Sequence, residues 1–452
     1  MSCTPTPLNP DDGIYPAPLF SVPQGSYTTN ITVSIITKVP AGAKIYYTVD
    51  GTVPTADSIE YTAPISIIQT TTITAVAIKD GQRSQRAMAI YKYLQWQQMD
   101  DPNGFTGYTG AMFMSLDFDY RGYPVIAYRR SNPTINRYNL DRYNWSEYTA
   151  DGPTSTVGSN IIVKMVSNLY FVAYHSVNLK SIRVMFYTNG SGTWYWSNFF
   201  TNATVNGAVN VSNAISTTTT GSVGTTCGAI GFDFSKYATV AYYDTITGNM
   251  TVRQRSGVDW SDLDVPFAMM MPNSIDLQYD SGVNQYYLGC NLSNGIVRVY
   301  KNTAGWVLLG GADIDTGGSG VAIESSRSPA NPYVAYLSTN TTNVYVKYWN
   351  GATWATLGTN SIGKATYISN YVTNAPAICM RGTDVVVAYA TTNGVAVRQC
   401  VNGTTWTDLG GAVVDTIQGL YPAIKVSPIN GDIFLTFKNV STGRPVIYRY
   451  GP

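Results

Sequence analysis

The chain has 452 residues and a single histidine, His175. One imidazole excludes multi-histidine metal sites and leaves any Ser or Cys nucleophile only one base to draw on. No GxSxG, glycine-rich phosphate loop or HExxH is present. The expectation is a protein without a metal or cofactor that is not an enzyme. His175 follows a VAY segment and is expected at a turn, with a contact on a ligand-binding rim as its functional reading. Arg137, Arg298 and Arg398 each stand eight residues ahead of a Trp, which predicts one equivalent strand position in three repeats rather than a joint anion site. Asp117 with Asp119, and Asp262 with Asp264, share a face if extended. They are expected as turn or solvated-edge residues.

Composition narrows the partners. With 28 Lys+Arg against 27 Asp+Glu, a net charge of +1 and only 12% charged residues, there is no field to attract nucleic acid or an anionic membrane. Dense Tyr, Gly, Thr, Ser and Asn favour strands and tight turns, so the chain is expected to be all-β. No apolar run reaches the ~18 residues of a membrane span. The start, Met-Ser-Cys3 followed by TPTPLNPDDG, resembles the mature start of a bacterial lipoprotein. That would make Cys3 a lipidation candidate, hence a possible lipid anchor, and residues 1–16 a flexible tether; an ordinary terminus is the other reading. Cys379 and Cys400 fall on the first and third strands of one repeat, about two spacings of ~4.8 Å apart and too far for a disulfide. Cys227 with Cys290 stays open.

A repeat organises most of the chain. Residues 374–411 read as a short apolar strand, a VAY strand, an alternating strand, an Asn-Gly turn and then Trp-x-x-Leu-Gly, which is four antiparallel strands. The fourth-strand residues Trp145, Trp194, Trp260, Trp306, Trp354 and Trp406 recur at intervals of 46 to 52 residues, with one interval of 66. A seventh copy begins at 421 and stops at Pro452 before any Trp strand. Its missing strand is found at the other end, where Trp96 stands 49 residues ahead of Trp145. The prediction over residues 94–452 is a seven-bladed β-propeller closed by its N-terminal strand, which removes exposed edges. Tyr128, Tyr174, Tyr242, Tyr336 and Tyr389, with Cys290 and Phe437 at the same place, are expected in the core.

Residues 17–93 read as a small β-sandwich, with strands at 31–36, 44–49, 64–68, 72–79 and 86–93. The segments PLFSVPQGSY, GAKIYYTVDGTVPT, YTAPI and TTTITAVAIKDG resemble the chitobiase/β-hexosaminidase C-terminal domain. That resemblance implies a non-catalytic accessory domain of secreted or bacterial cell-surface proteins, and so an extracytoplasmic location. The run of its last strand into the Trp96 strand predicts rigid coupling. The repeats resemble the propellers of bacterial sialidase-like and fucose-lectin-like proteins, although WNGATW (349–354) and VNGTTW (401–406) lack the Asp of a sialidase Asp box. The implied function is non-enzymatic binding or adhesion, with a glycan or surface protein as partner on the loop face. A sialidase-like hydrolase or lyase, or a structural subunit of a surface assembly, are the alternatives. Loops that break the repeat should carry the contacts, which singles out Phe199, Phe200, Met269, Met270 and Met271 as rim candidates. The same residues could instead tuck over the strand edges.

Overall fold

A computed structural model describes residues 15–38, 41–100, 105, 110–130, 133–139, 144–149, 157–166, 169–176, 181–190, 193–198, 230–233, 237–244, 247–256, 259–325, 331–358, 361–365, 375–411, 414 and 418–452. Among them every regular element is a strand. Two compact units divide the chain, Met1–Gln97 with Tyr450–Pro452, and Gln98–Arg449.

In the first unit the β-branched run Thr71–Lys79 is central. Lys44–Thr48 and Ala87–Tyr93 flank it in antiparallel fashion, and Gly25–Tyr27 adds a parallel strand beyond Ala87–Tyr93. Alternation along Ala87–Tyr93 buries Ala89 and Tyr91 and leaves Met88 and Ile90 exposed. Tyr91 packs with Ile73 and Ala75 of that sheet and with Val33 and Ile67 of the paired strands Ile31–Val33 and Ile65–Ile67. Its hydroxyl donates to the Val22 carbonyl at 2.9 Å, and burial pushes the phenol up to about 12.

The described residues of the rest of the chain form seven sheets, each with the strand order of a four-stranded antiparallel meander. Their first strands are Met112–Phe118, Val157–Val166, Ile230–Asp233, Pro272–Asp280, Gly318–Ser325, Ala377–Arg381 and Gly419–Val426. The seventh sheet continues through Ile433–Asn439 and Pro445–Gly451 and takes Gln95–Gln98 as its outer strand. Trp96 there lies 5.2 Å from Tyr450, ring centre to ring centre. Each first strand packs beside the next, and Gly419–Val426 also packs against Met112–Phe118.

Second strands are covered on both faces and so read as unbroken apolar runs. Val125, Ile126, Ala127 and Tyr128 are all buried, as are Val385 to Ala390. Tyr128, Tyr174, Tyr242, Tyr336, Tyr389, Cys290 and Phe437 are all buried. Cys290, Cys379 and Cys400 are free, buried thiols, with Cys379 and Cys400 on the first and third strands of one sheet. Cys227 lies outside the described residues.

The Trp-x-x-Leu-Gly signature acts between sheets. The indole N–H of Trp306 donates to the Leu263 carbonyl at 3.0 Å, that of Trp354 to Leu309 at 3.1 Å, and that of Trp406 to Leu357 at 3.1 Å. These three fourth-strand Trp residues thus reach back to the Leu three residues after the Trp of the preceding sheet. The following glycine makes room for the clasp. Gly310 and Gly358 have φ of +83° and +77°, and a Cβ would come within 2.7 Å of Trp349 and Trp406, respectively.

Candidate functional site

The seven first strands together line a cavity of about 240 Å³. Their register with the second strands puts Asp117, Lys164, Asp233, Gln278, Glu324, Cys379 and Lys425 at one level, opposite Val125, Phe171, Thr239, Tyr287, Tyr333, Val386 and Phe434. A polar level inside an apolar protein has to be satisfied locally.

Part of it, together with Ser115 and Asp276 two residues nearer the strand starts, opposite Ala127 and Gly289, satisfies backbone. First strands lack a ladder partner on their inner side, so their free N–H groups need acceptors. Ser115 Oγ accepts from Val163 N at 3.0 Å, Asp117 Oδ2 from Met165 N at 2.7 Å, and Asp276 Oδ2 from Ile323 N at 2.8 Å. In each case a side chain from one sheet caps the first strand of the next.

The remainder is charge. Lys425 Nζ donates to Asp117 Oδ1 at 2.9 Å. Burial pulls its ammonium down, but Asp117, helped by Glu324 and Asp233, more than offsets this and holds it above the usual lysine value. Lys164 lies 3.9 Å from Asp233. Asp276 and Glu324 have no cation within ion-pairing distance among the described residues. Burial pushes Asp276 up to about 6, with the Ile323 amide and Lys164 pulling the other way. Burial likewise raises Glu324, and Asp276 adds to the effect.

At the end of the cavity where the first strands begin, three of them bulge at one place: between Met112 and Ser115, Ser319 and Ala322, and Leu420 and Ala423. The residue that takes positive φ there is Gly320 in one sheet, at +65°, as such bulges prefer. In the other two it is Phe113 and Tyr421, both at +55°. An aromatic residue held there costs roughly 1 to 3 kcal/mol, and such strain clusters at functional sites. The two rings lie 5.1 Å apart, and the Arg129 guanidinium sits 5.8 Å from the centre of the Phe113 ring. Burial pushes the Tyr421 phenol up to about 12 even with Arg129 nearby.

The residues singled out from sequence scatter by comparison. His175 is not at a turn; it lies in Leu169–Ser176, is 1% exposed, and its Nε2 has no hydrogen-bond partner. Burial pushes it down to about 4. An unsolvated imidazole inside a sheet cannot reach a ligand on a rim. Met269 packs on the core around Met250 and Tyr300, whereas Met270 and Met271 are exposed. Phe267, in the same segment, stacks on Trp306 and contacts Tyr300. Phe199, Phe200 and Cys3 lie outside the described residues.

The arginines are not equivalent. Arg137 pairs in register with Val125, Arg298 with Cys290 and Arg398 with Val387. These are three different levels of the second strand. Hairpin length explains the discrepancy, since Trp145 faces Tyr138, Trp306 faces Asn302 and Trp406 faces Cys400. Arg253 and Arg398 do share a level, opposite Val240 and Val387, and each grips the Asp facing it on the fourth strand, Asp262 at 2.8 Å and Asp408 at 2.7 Å. Arg298 is paired with Asp313 at 2.5 Å. Of the acidic pairs, Asp117 faces inward, while Asp119 Oδ1 accepts the Arg121 and Tyr123 amides in a turn. The cavity residues escaped the sequence reading because they are spread over the whole chain and share no motif.

Residues 22–89 match the family model of the chitobiase/β-hexosaminidase C-terminal domain. Comparison by sequence with curated proteins matches none. Among solved structures, the chain is similar to the BP39L lectin of Burkholderia pseudomallei, at 14% identity and a TM-score of 0.51, covering 76% of this chain and 99% of that one. It also matches the Aleuria aurantia lectin, in a complex with Fucα1-6GlcNAc, at 13% identity, 68% and 98% coverage and a TM-score of 0.44. A third match is the Trypanosoma rangeli sialidase in complex with sialic acid, at 8% identity, 79% and 57% coverage and a TM-score of 0.40. The similarity to the Burkholderia lectin is one of fold, an all-β architecture of repeated sheets.

Proposed function

We propose that this is a non-enzymatic carbohydrate-binding protein of the cell surface or extracellular space, built on a closed seven-bladed β-propeller. A glycan docks on the loop face, at the cavity end that carries Phe113 and Tyr421. The observation that carries this reading is the bulge position itself, where glycine serves in one sheet and strained aromatic rings stand in two others. Paired rings beside a guanidinium offer an apolar face and a polar edge, the combination a sugar needs. Met270 and Met271 are exposed just ahead of a first strand, at the same end of the sheets. The accessory-domain match of residues 22–89 supports an extracytoplasmic setting.

One observation favours the competing hydrolase or lyase reading, the raised Asp276 carboxyl, which suits a general acid. Against it, the Tyr421 phenol stays protonated near neutrality and Asp117 is committed to Lys425. A glycan array with wild type and Phe113→Ala/Tyr421→Ala tests the proposal. Selective binding lost in the double variant is the expected result, and no selective binding by wild type would overturn it. Turnover of chromogenic glycosides, abolished by Asp276→Asn, would establish the enzyme instead.

A further inference from the structure

We propose that the cavity end carrying Phe113 and Tyr421 binds an acidic polysaccharide chain, with sugar rings on the aromatic pair and anionic groups on Arg129 and Lys438. This rests on the carbohydrate-binding reading and names the glycan class that reading leaves open.

A correlation among the seven sheets carries the inference. Their second strands contain two Lys or Arg residues in all, Arg129 and Lys438. Each pairs with the residue immediately ahead of a strained aromatic, Arg129 with Met112 before Phe113 and Lys438 with Leu420 before Tyr421. In the third bulged sheet, where Gly320 stands in place of the aromatic, the equivalent partner is Leu337, opposite Ser319. Ring and cation are present together or absent together. The bulge itself needs neither, since the Gly320 sheet forms it without them. Backbone strain kept where glycine would relieve it marks a functional site, and the cation is part of what is kept.

Lys438 is held without a counter-ion. No hydrogen bond or ion pair reaches it among the described residues. Burial pulls its ammonium below the usual lysine value, and no carboxylate pulls the other way. A half-buried charge costs stability unless it is paired, and an anion on a ligand would pair it. The placement of the two cations decides the shape of that ligand. Lys438 shares a face with Phe434 and Thr436, and Phe434 packs on Phe118 of the first sheet, which puts Lys438 in the groove between the seventh and first sheets. Arg129 shares a face with Val125 and Ala127, which pack with Ile161 and Val163 of the second sheet, so it stands in the next groove. Facing sheets are about 10 Å apart, so one carboxylate cannot bridge the two cations, whereas successive sugars of a charged chain can. The ring pair, one ring from each sheet and 5.1 Å centre to centre, gives such a chain an apolar footing. A neutral glycan would use the rings and leave Lys438 unpaired.

Isothermal titration with oligogalacturonate, and with the same oligosaccharide after reduction of its carboxyl groups to alcohols, tests this on wild type, Lys438→Gln and Arg129→Gln/Lys438→Gln. Wild type should bind the charged chain roughly tenfold more tightly, the worth of one hydrogen bond to a charged group. Added salt should shrink that margin. Lys438→Gln should lose most of the preference while melting no lower than wild type, and the double variant should lose all of it. Should the double variant melt lower, Lys438→Gln decides by itself. A sulfated galactan oligosaccharide, titrated in parallel, identifies the anion: tighter binding of it than of oligogalacturonate, lost in the same variants, assigns the two cations to sulfate. Equal binding of charged and neutral chains by wild type, or an undiminished preference in the folded variants, overturns the acidic-chain site and leaves the carbohydrate reading standing. Binding of none of these chains overturns the acidic-chain site as well, and the glycan array then decides the carbohydrate reading separately.

Discussion

A buried histidine and a half-buried aspartate, shifted in opposite directions, make the pH response of this protein testable residue by residue. Asp276, pushed up to about 6 by burial, binds more protons in the native state than in the unfolded chain between the ordinary carboxyl value of 3.8 and 6. Its contribution therefore falls as pH rises through that window. His175, pushed down to about 4, binds fewer protons when folded between 4 and 6.5, so its contribution rises with pH over nearly the same range. In wild type the two slopes oppose each other. Asp276→Asn, which keeps an acceptor for the Ile323 amide, should leave stability rising with pH from 4 to 6.5, and His175→Leu should leave it falling. The histidine effect approaches about 3 kcal/mol at 1.36 kcal/mol per unit, and the aspartate effect, partly solvated, is on the order of 1 kcal/mol. Urea midpoints measured across pH 4 to 7 decide the matter; parallel profiles in all three proteins would refute it. A lone histidine could be found in the sequence, but its burial could not. The VAY strand that precedes it continues through His175 to Ser176, because pairing with Ser181 and Ile182 extends the strand past the expected turn.

At the scale of the strand and its turn, the Trp-x-x-Leu-Gly signature was legible as a ruler but not as a clasp. Periodicity identifies the Trp; only the structure shows its N–H reaching the Leu carbonyl of the sheet before. Trp354→Phe removes the donor to Leu309 and keeps most of the ring, so it should cost about 1 kcal/mol. Gly358→Ala faces both a positive φ of +77° and a Cβ 2.7 Å from Trp406, and should cost more, about 2 to 3 kcal/mol. Thermal melts of the two variants check the order, and a Gly358→Ala protein as stable as wild type would contradict the packing described. The same ruler misled for the arginines. Counting back eight residues from a Trp assumes hairpins of one length, whereas Trp306 faces Asn302 and Trp406 faces Cys400. Register is set by each turn, and turn length varies freely in solvent. The strained bulges were illegible for a related reason, since nothing in the sequence around Phe113 or Tyr421 announces a positive φ where the equivalent residue is Gly320.

For the whole molecule, the question is whether the seven sheets form a ring or a row. The sequence favoured a ring because the phase of Trp96 supplies the strand that the last repeat lacks. In the structure Gln95–Gln98 occupies that place, and Gly419–Val426 packs against Met112–Phe118. The two arrangements respond differently to loss of an end. In a row each repeat touches only its neighbours, so trimming the last one leaves the others nearly as stable as before. In a ring, removing residues 445–452 strips the seventh sheet of the strand that anchors Gln95–Gln98. It also deletes the bond from Thr436 Oγ1 to Val446 O at 2.8 Å, the Arg449–Asp432 pair at 2.6 Å and the bond from Ile447 N to Asp100 at 2.8 Å. The seventh sheet then loosens beside the first. Hydrogen exchange of the truncated protein should therefore rise in Met112–Phe118 as well as in Gly419–Asn439, although those segments stand at opposite ends of the repeat array. Its thermal transition should fall further than that of either single variant above. Unchanged protection of Met112–Phe118 after truncation would mean that the sheets are stacked in a row, because only a closed ring makes the first sheet depend on the last.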